Sequence, residues 1–408
     1  MSNNCPALAH VDKCTGCTAC AAACRIEAIS MLSDAMGFLY PIVDELECVG
    51  CGACTSACPE LRPITKAIKP IVTYACWDKD ERRRMEATSG GAFMLLADFV
   101  IEQGGLVCGA VLNDQLEVVH VVTRDRREVE RMRGSKYVQS DVRNAFRDCL
   151  NYLRAGELIL FAGTSCQVAA MRIATEKISA CRLISVEILC HGAPSPLFWK
   201  EYLRYREKEA NDRAIDVRFR KKTPSWTMFS LELTFETEHR HQRWCTKEDP
   251  YLRAFLGDFI SRQCCHECRY AGIDRVGDIT LADFWGYVSD KREFRNDEKG
   301  ISLVMVNTAS GKEAFAAIAP KMKVVEKSIE EAAKGNEPLR NSIPANRRKE
   351  QFWNDFLNGG LEAVRCEYLT PAKHSMKHKL SLFFNDHAYL LPVKLREMMI
   401  KVRENTKH

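Results

Sequence analysis

Residues 14–24 read CTGCTACAAAC and residues 48–58 read CVGCGACTSAC. Both follow C-x-x-C-x-x-C-x-x-x-C: Cys14, Cys17, Cys20 and Cys24, then Cys48, Cys51, Cys54 and Cys58, with Pro59 after the last. Three thiolates spaced two residues apart occupy one tight loop and grip three corners of an iron–sulfur cube, while backbone N–H groups of the loop point at the cluster sulfurs. The fourth thiolate sits on the helix that follows and faces the other loop. Zinc sites use two C-x-x-C pairs rather than a triplet with a trailing cysteine.

The spacing is that of a bacterial di-cluster ferredoxin, in which the fourth cysteine of each run ligates the other cluster. One [4Fe–4S] cluster is therefore assigned to Cys14, Cys17, Cys20 and Cys58. The second is assigned to Cys48, Cys51, Cys54 and Cys24. Gly16, Gly50 and Gly52 suit tight loops, the surrounding alanines let the chain close around a bulky inorganic object, and residues 38–43 (FLYPIV) read as a strand. Arg25 stands where proline commonly follows the fourth cysteine.

The 408 residues exceed one ordinary core and predict several domains. No apolar run reaches the roughly 18–20 residues of a membrane span, and MSNNCPALAH has neither the basic start nor the apolar core of a signal peptide. Twenty cysteines in such a chain point to metal or redox chemistry in a soluble, cytoplasmic protein. Charge is uneven. Residues 1–60 carry seven acids against two bases, and residues 370–408 carry eight bases against three acids. Two contact surfaces, or two solvated faces without partners, follow from this pattern.

After a Pro- and Lys-containing boundary at 62–70, short apolar runs alternate with helical stretches, which predicts an α/β sheet. Strands are expected at 71–77, 105–112, 116–123, 157–163 and 182–190, with helices at 90–103, 142–154, 165–177 and 196–210. A second group of strands is expected at 215–221, 229–236, 243–245, 277–286 and 301–307. No G-x-G-x-x-G or P-loop motif occurs, so a nicotinamide Rossmann site or a P-loop site has no support. In the turn 87–93 (ATSGGAF), Ser89, Gly90 and Gly91 offer backbone N–H groups to a phosphate or simply cap a helix. Lys136 and Tyr137 pair a cation with an aromatic ring. Gly163, Thr164 and Gln167 lie in a strand-to-helix turn, where α/β folds place ligands. Cys166, Cys190, Cys265 and Cys268 are candidates for a third tetrathiolate site, whose convergence the spacing leaves open. Cys5, Cys76, Cys108, Cys149, Cys181, Cys245 and Cys366 read as ordinary thiols.

Taken in order, SGGAF, RGSKYVQS, FAGTSCQVAAMR, LCHGAPSPLFWKEYL and CCHECRYAGIDRVGDITLADFWG, behind the ferredoxin, resemble the coenzyme F-420 hydrogenase/dehydrogenase beta-subunit family over roughly residues 10–320. The resemblance implies an FAD- and [4Fe–4S]-dependent oxidoreductase. It implies an FAD lined by Ser89, Gly90 and Gly91 and touched by Lys136 and Tyr137, in a pocket completed by Gly163, Thr164 and Gln167. It further implies a third cluster on Cys166, Cys190, Cys265 and Cys268, with Cys264 as a substitute for one of them. His191 is the proton-donor candidate, against a packed histidine as the alternative. Asp283 orients the flavin or ends a strand. The family commonly has GTPCQ where this chain has GTSCQ, so Ser165 loosens that turn.

The expected fold is α+β and α/β, multidomain. A bacterial-ferredoxin-like domain (1–62) precedes an α/β flavin-binding domain with a mixed sheet (70–180 and 181–330), and a helical basic tail follows (331–408). In the expected function, hydride chemistry at FAD on coenzyme F-420 or another small organic substrate is coupled to one-electron transfer through the clusters. The alternatives are a non-catalytic electron-relay subunit of a larger redox complex and a zinc scaffold without flavin. For members outside coenzyme F-420 users, the resemblance implies surface-polysaccharide synthesis as a setting. Partners are an organic redox substrate and an electron-transfer protein, either a ferredoxin or a complex subunit. No nucleic acid is expected. The basic tail is either a packed terminal helix or a membrane-surface contact.

Overall fold

The structure, a computed structural model, describes residues 5–64, 68–289 and 294–369. Part of the 62–70 boundary and the basic tail beyond residue 369, with its membrane-contact reading, lie outside the described residues.

The leading segment is built from two matching halves. Each has a cysteine loop, a five-residue helix (Ala19–Ala23 or Ala53–Ala57) and a fourth cysteine at the helix C-cap, Cys24 or Cys58. The backbone takes positive φ at equivalent loop positions: Gly16 (+67°) and Thr18 (+65°) in the first half, Gly50 (+68°) and Gly52 (+70°) in the second. The left-handed turns let three thiols of one loop face inward. Strands β1 (Ile29–Ser33) and β2 (Leu39–Val43) pair antiparallel, with Ile29 opposite Val43.

An eight-stranded mixed sheet forms the body. Its strands are β3 (Val72–Asp78), β4 (Leu106–Leu112), β5 (Val118–Thr123), β6 (Ile159–Thr164), β7 (Leu183–Ile188), β11 (Ile279–Asp283), β12 (Ser302–Val306) and β13 (Met322–Lys327), in the order β13-β3-β12-β11-β7-β6-β4-β5. The neighbours β4/β6, β6/β7 and β7/β11 are parallel and the remaining pairs antiparallel. The central strands are apolar runs buried on both faces, β12 (SLVMV) throughout. Helices Ala92–Glu102 and Ala309–Ile318 cover one face. Arg143–Arg154 and Ser165–Thr175 cover the other. Arg143–Arg154 buries Ala145, Phe146, Cys149, Leu150 and Leu153, the i, i+3, i+4 stripe of an amphipathic helix. Each large apolar side chain so buried contributes about 1.5–3 kcal/mol.

Strands β8 (Ala214–Lys221), β9 (Ser230–Phe235) and β10 (His241–Cys245) form a separate antiparallel sheet. It shares a core of Trp199, Tyr202, Phe219, Tyr251 and Phe352 with helices Pro196–Ala210, Pro250–Leu256 and Lys349–Tyr368. Strands β1 and β13 have no counterpart in the sequence reading. The described part of the expected helical tail contains most of helix Ile329–Gly335 and helix Lys349–Tyr368. Among the described residues no helix is long and apolar enough to cross a membrane.

The ferredoxin-like segment rests on the sheet face covered by Arg143–Arg154 and Ser165–Thr175. Cys17, Ala19 and Ala57 join the core beneath those helices. Its alanines thus permit close packing onto the body as well as around the thiols. Lys13 pairs with Glu267, Arg147 with Glu27, and Arg269 with Glu60 at 3.2 Å across the same junction.

Candidate redox site

Among the described residues no group of three or more His, Cys, Asp or Glu side chains is arranged to hold a metal ion as it stands. The cysteines instead line wider spaces. Cys14, Cys17, Cys20 and Cys58 face one cavity, closed by Leu8, Met31 and Pro41. These are the four residues assigned to the first cluster. Burial, followed by the neighbouring Cys14 and Cys58, pushes the Cys20 thiol up to about 12. Burial likewise raises Cys58. Buried Cys17, Cys20 and Cys58 thus resist ionisation, and binding of a polyvalent cationic group is what reverses that. Cys54 lies near Cys48 and Cys51. Cys24 packs against the small apolar group that contains Cys54. Cys5, read as an ordinary thiol, is hydrogen-bonded to Cys48, which raises it to about 11.

A third gathering of thiols lies at the carboxyl ends of adjacent parallel strands. Thr164 of β6 is in register with Ile188 of β7, so Cys166 and Cys190, two residues beyond each, emerge side by side. Cys265 and Cys268 arrive on the turn at Gln263–Glu267, and the Ala193 N–H donates to Cys265 Sγ at 3.4 Å. All four line one cavity together with Cys264. Burial pushes Cys166 up to about 12 and raises Cys190. Cys265 is pulled down to about 7, first by a hydrogen bond from Cys264, whose own thiol is pushed up in return. Lys13 and Thr15 of the leading segment line the same cavity. The first cysteine loop therefore abuts this third gathering.

The residues expected around a flavin are joined by hydrogen bonds. Ser135 N–H donates to Thr88 Oγ1 at 2.8 Å, and Gln167 Nε2 donates to Ser140 Oγ at 3.0 Å. Ser89 Oγ donates to Ile301 O at 2.8 Å, and the Gly90 N–H donates to Ser302 Oγ at 2.9 Å. A side chain at Gly90 would come within 2.3 Å of Cys76 O. Gly91, at φ +96°, caps helix Ala92–Glu102. Lys136 turns back to the carbonyls of Arg131 (2.8 Å) and Arg133 (3.1 Å), and burial pushes it down to about 7. Thr164 and Gln167 form a reciprocal cap on helix Ser165–Thr175, and Gly163 lies against Gln167. The rings of Tyr137 and His191 both pack on Phe255, at 4.8 and 5.5 Å. His191 Nε2 lies 3.2 Å from Asp258 Oδ1.

The sequence reading named Asp283 and Tyr137 but missed the partners Arg220, Trp226 and Lys222 gathered around them. Asp283 pairs with Arg220 and accepts from Trp226 Nε1 at 2.7 Å. Trp226 stacks on Trp285 at 4.8 Å, and the Arg220 charge acts on the buried Tyr137 hydroxyl. Arg220 Nε and Nη2 are buried without a hydrogen-bond partner. Lys222, pushed down to about 7 by burial, donates to the carbonyls of Arg84, Ser89 and Lys299. The run RFRKK holds Arg220 and Lys222, but its spacing does not say which of its bases the fold buries.

Residues 156–332 match the family described as the C terminus of the coenzyme F420 hydrogenase/dehydrogenase beta subunit, and residues 13–60 match the 4Fe–4S dicluster domain. The chain thus carries a segment of the coenzyme F420 hydrogenase/dehydrogenase beta-subunit family behind a 4Fe–4S dicluster domain. The two matches make it an iron–sulfur redox protein related to the F420 hydrogenase beta subunit. Among solved structures it is similar to a chain of the F420-reducing [NiFe] hydrogenase complex from Methanosarcina barkeri. That similarity has 17% identity and a TM-score of 0.45, over 72% of this chain and 94% of the other. No curated protein sequence matches it.

Ser165 does not leave a loose turn. It is buried, and its Oγ accepts from Arg275 Nη2 at 2.9 Å. Arg275 also donates to the carbonyls of Tyr270 and Gly272 and, through Nε, to Glu187 Oε1 at 2.6 Å. Glu187 and Arg275 are 0% and 1% exposed. A buried ion pair therefore braces the turn carrying Cys166 against the segment after Cys268.

Proposed function

We propose that the chain is an iron–sulfur flavoprotein oxidoreductase that couples two-electron chemistry on coenzyme F-420 or another small organic substrate to one-electron transfer through [4Fe–4S] clusters. FAD, when bound, supplies the exchange between hydride chemistry and single electrons. The observation that carries the reading is the convergence of Cys166, Cys190, Cys265 and Cys268 on one cavity beside the first ferredoxin loop. In this reading residues 1–62 are the ferredoxin domain, 70–180 and 181–330 the flavin-binding body, and 331–408 a helical tail. The buried, partnerless donors of Arg220 fit an acceptor edge of an isoalloxazine, beside Tyr137 and the Trp226–Trp285 stack. Ser89, Gly91, Thr164 and Lys136 line its approach, and His191, next to Cys190 in the chain, is the proton-donor candidate. The free thiols suit the reducing interior of the cell.

The electron-transfer partner is a one-electron carrier with a basic rim. The first cysteine loop is covered by the body, while the second presents Leu46 (96% exposed) and Val49 (71%) beside the exposed Asp44, Glu45 and Glu47. Residues 28–60 contain no Lys or Arg. Charge complementarity and a short electron path both favour contact there.

Anaerobic purification with iron, sulfide and flavin analysis tests the reading. About twelve irons and one FAD per chain are expected for three cubane clusters, with the flavin band bleached by reduced ferredoxin or reduced deazaflavin. Eight irons and no flavin would defeat it. One observation favours the relay alternative: the Gly90 N–H and Lys136 Nζ are already engaged within the protein. Iron without flavin is its signature.

A further inference from the structure

Arg262 is completely buried, yet it belongs to none of the cysteine sets. Its side chain reaches out of the body into the leading segment. Nε donates to Cys14 O at 2.8 Å, Nη2 to Leu39 O at 3.1 Å and Nη1 to Gln139 Oε1 at 3.1 Å. Gln139 Nε2 in turn donates to Thr15 O at 3.2 Å. The guanidinium lies over the Tyr40 ring, 3.9 Å from its centre. At Gly16 an added side-chain carbon would approach Arg262 Nη1 to 2.9 Å and Gln139 Nε2 to 2.7 Å. The glycine is thus required for this close approach as well as for its backbone angle. The backbone of Arg262 is tied to the other gathering: its N–H donates to Ala193 O at 2.9 Å, and the Cys265 N–H donates to its carbonyl at 3.0 Å.

All three side-chain acceptors are neutral, and burying an ion costs several kcal/mol unless opposite charge faces it. A cubane held by four thiolates is a net-negative body, and one thiolate set lies on each side of this cation. We propose that Arg262 is a positioning residue that couples the first ferredoxin site to the inner thiolate site, clamping loop 14–17 against the inner cavity and giving both sites a shared positive counter-charge. Its charge raises the reduction potential of both sites, and its planar fork fixes the gap between them. An electron crossing that gap oxidises one site and reduces the other, with no proton or bond change at Arg262. The proposal rests on the three-cluster reading above.

The test uses the full chain purified anaerobically, as wild type, Arg262→Gln and Arg262→Lys. Iron and sulfide are counted, each centre is titrated with dithionite, and the reduced protein is followed by electron paramagnetic resonance. In Arg262→Gln, two of the three centres should become at least tenfold harder to reduce, a fall of about 59 mV for one electron. The Cys48 centre should not move. Arg262→Lys should retain the potentials but lose the magnetic interaction between neighbouring reduced centres. Gln139→Ala, which leaves the charge in place, should weaken that interaction alone, and it decides the matter if the Arg262 variants lose iron. Unchanged potentials and interaction in chains holding about twelve irons would overturn the proposal by itself. A wild-type count of about eight irons would overturn the three-cluster reading and the proposal with it.

Discussion

Arg275→Met should cost the fold far more than an average substitution. The change deletes the 2.6 Å bond to Glu187 Oε1, the 2.9 Å bond to Ser165 Oγ and the bonds to the Tyr270 and Gly272 carbonyls. Glu187 then keeps only Thr280 Oγ1, at 2.6 Å, because its Oε2 has no partner to begin with. A fully buried carboxylate stripped of its cation costs about 3–5 kcal/mol. At about 1.2 °C per kcal/mol for a chain of this size, the thermal midpoint should fall by about 3.5–6 °C. The double variant Glu187→Gln with Arg275→Met removes the stranded charge and should recover more than half of the loss. Anaerobic melting followed by circular dichroism measures both. A single variant within about 1 kcal/mol of wild type, or a double variant no better than the single, would refute the reasoning.

Cys265→Ser should remove about four irons, while Cys264→Ala should keep them, because Cys264 hydrogen-bonds Cys265 and is the fifth thiol at a four-cornered site; iron counting decides. Gly90→Ala should destabilise by at least 1–3 kcal/mol, since the new methyl meets Cys76 O at 2.3 Å and Ser302 N at 2.7 Å with no flexible neighbour to yield; denaturant midpoints measure it. Lys222 is depressed to about 7 by burial. Between about pH 7 and 10.4 the unfolded chain therefore holds a proton that the folded chain lacks. Stability should rise with pH across that window and level off above it, and Lys222→Met should flatten part of the rise in melts at pH 7–9.5. Charge reversal at Glu45 and Glu47 should slow reduction by a basic carrier at low salt, with the difference fading at high salt, in stopped-flow traces.

The leading segment was legible because its chemistry is local: eight cysteines at fixed offsets dictate their own loops. Most strands of the body were legible too, since runs such as ISLVMVN are apolar without interruption. What escaped depends on distance in the chain. β13 alternates Val with Lys and Glu and declares itself only when paired with β3. Arg220, Arg262 and Arg275 look like surface bases in one dimension, and each is buried because a partner about 60 to 250 residues away meets it. Ser165 read as a weakness for the same reason, its bonding partner being 110 residues on. Convergence of Cys166 with Cys190 followed from strand register, which spacing does not encode.

Thr18 occupies a left-handed turn at φ +65°, is 1% exposed, and leaves its hydroxyl without a partner, whereas the equivalent position in the second half is Gly52. A β-branched residue there costs on the order of 1–2 kcal/mol. The duplicated halves have thus ceased to be interchangeable. The copy turned toward the body has traded conformational ease for a side chain wedged at the junction, and the copy turned toward solvent has kept the more relaxed loop. A graft exchanging the two halves would preserve every cysteine and still misfit its own protein.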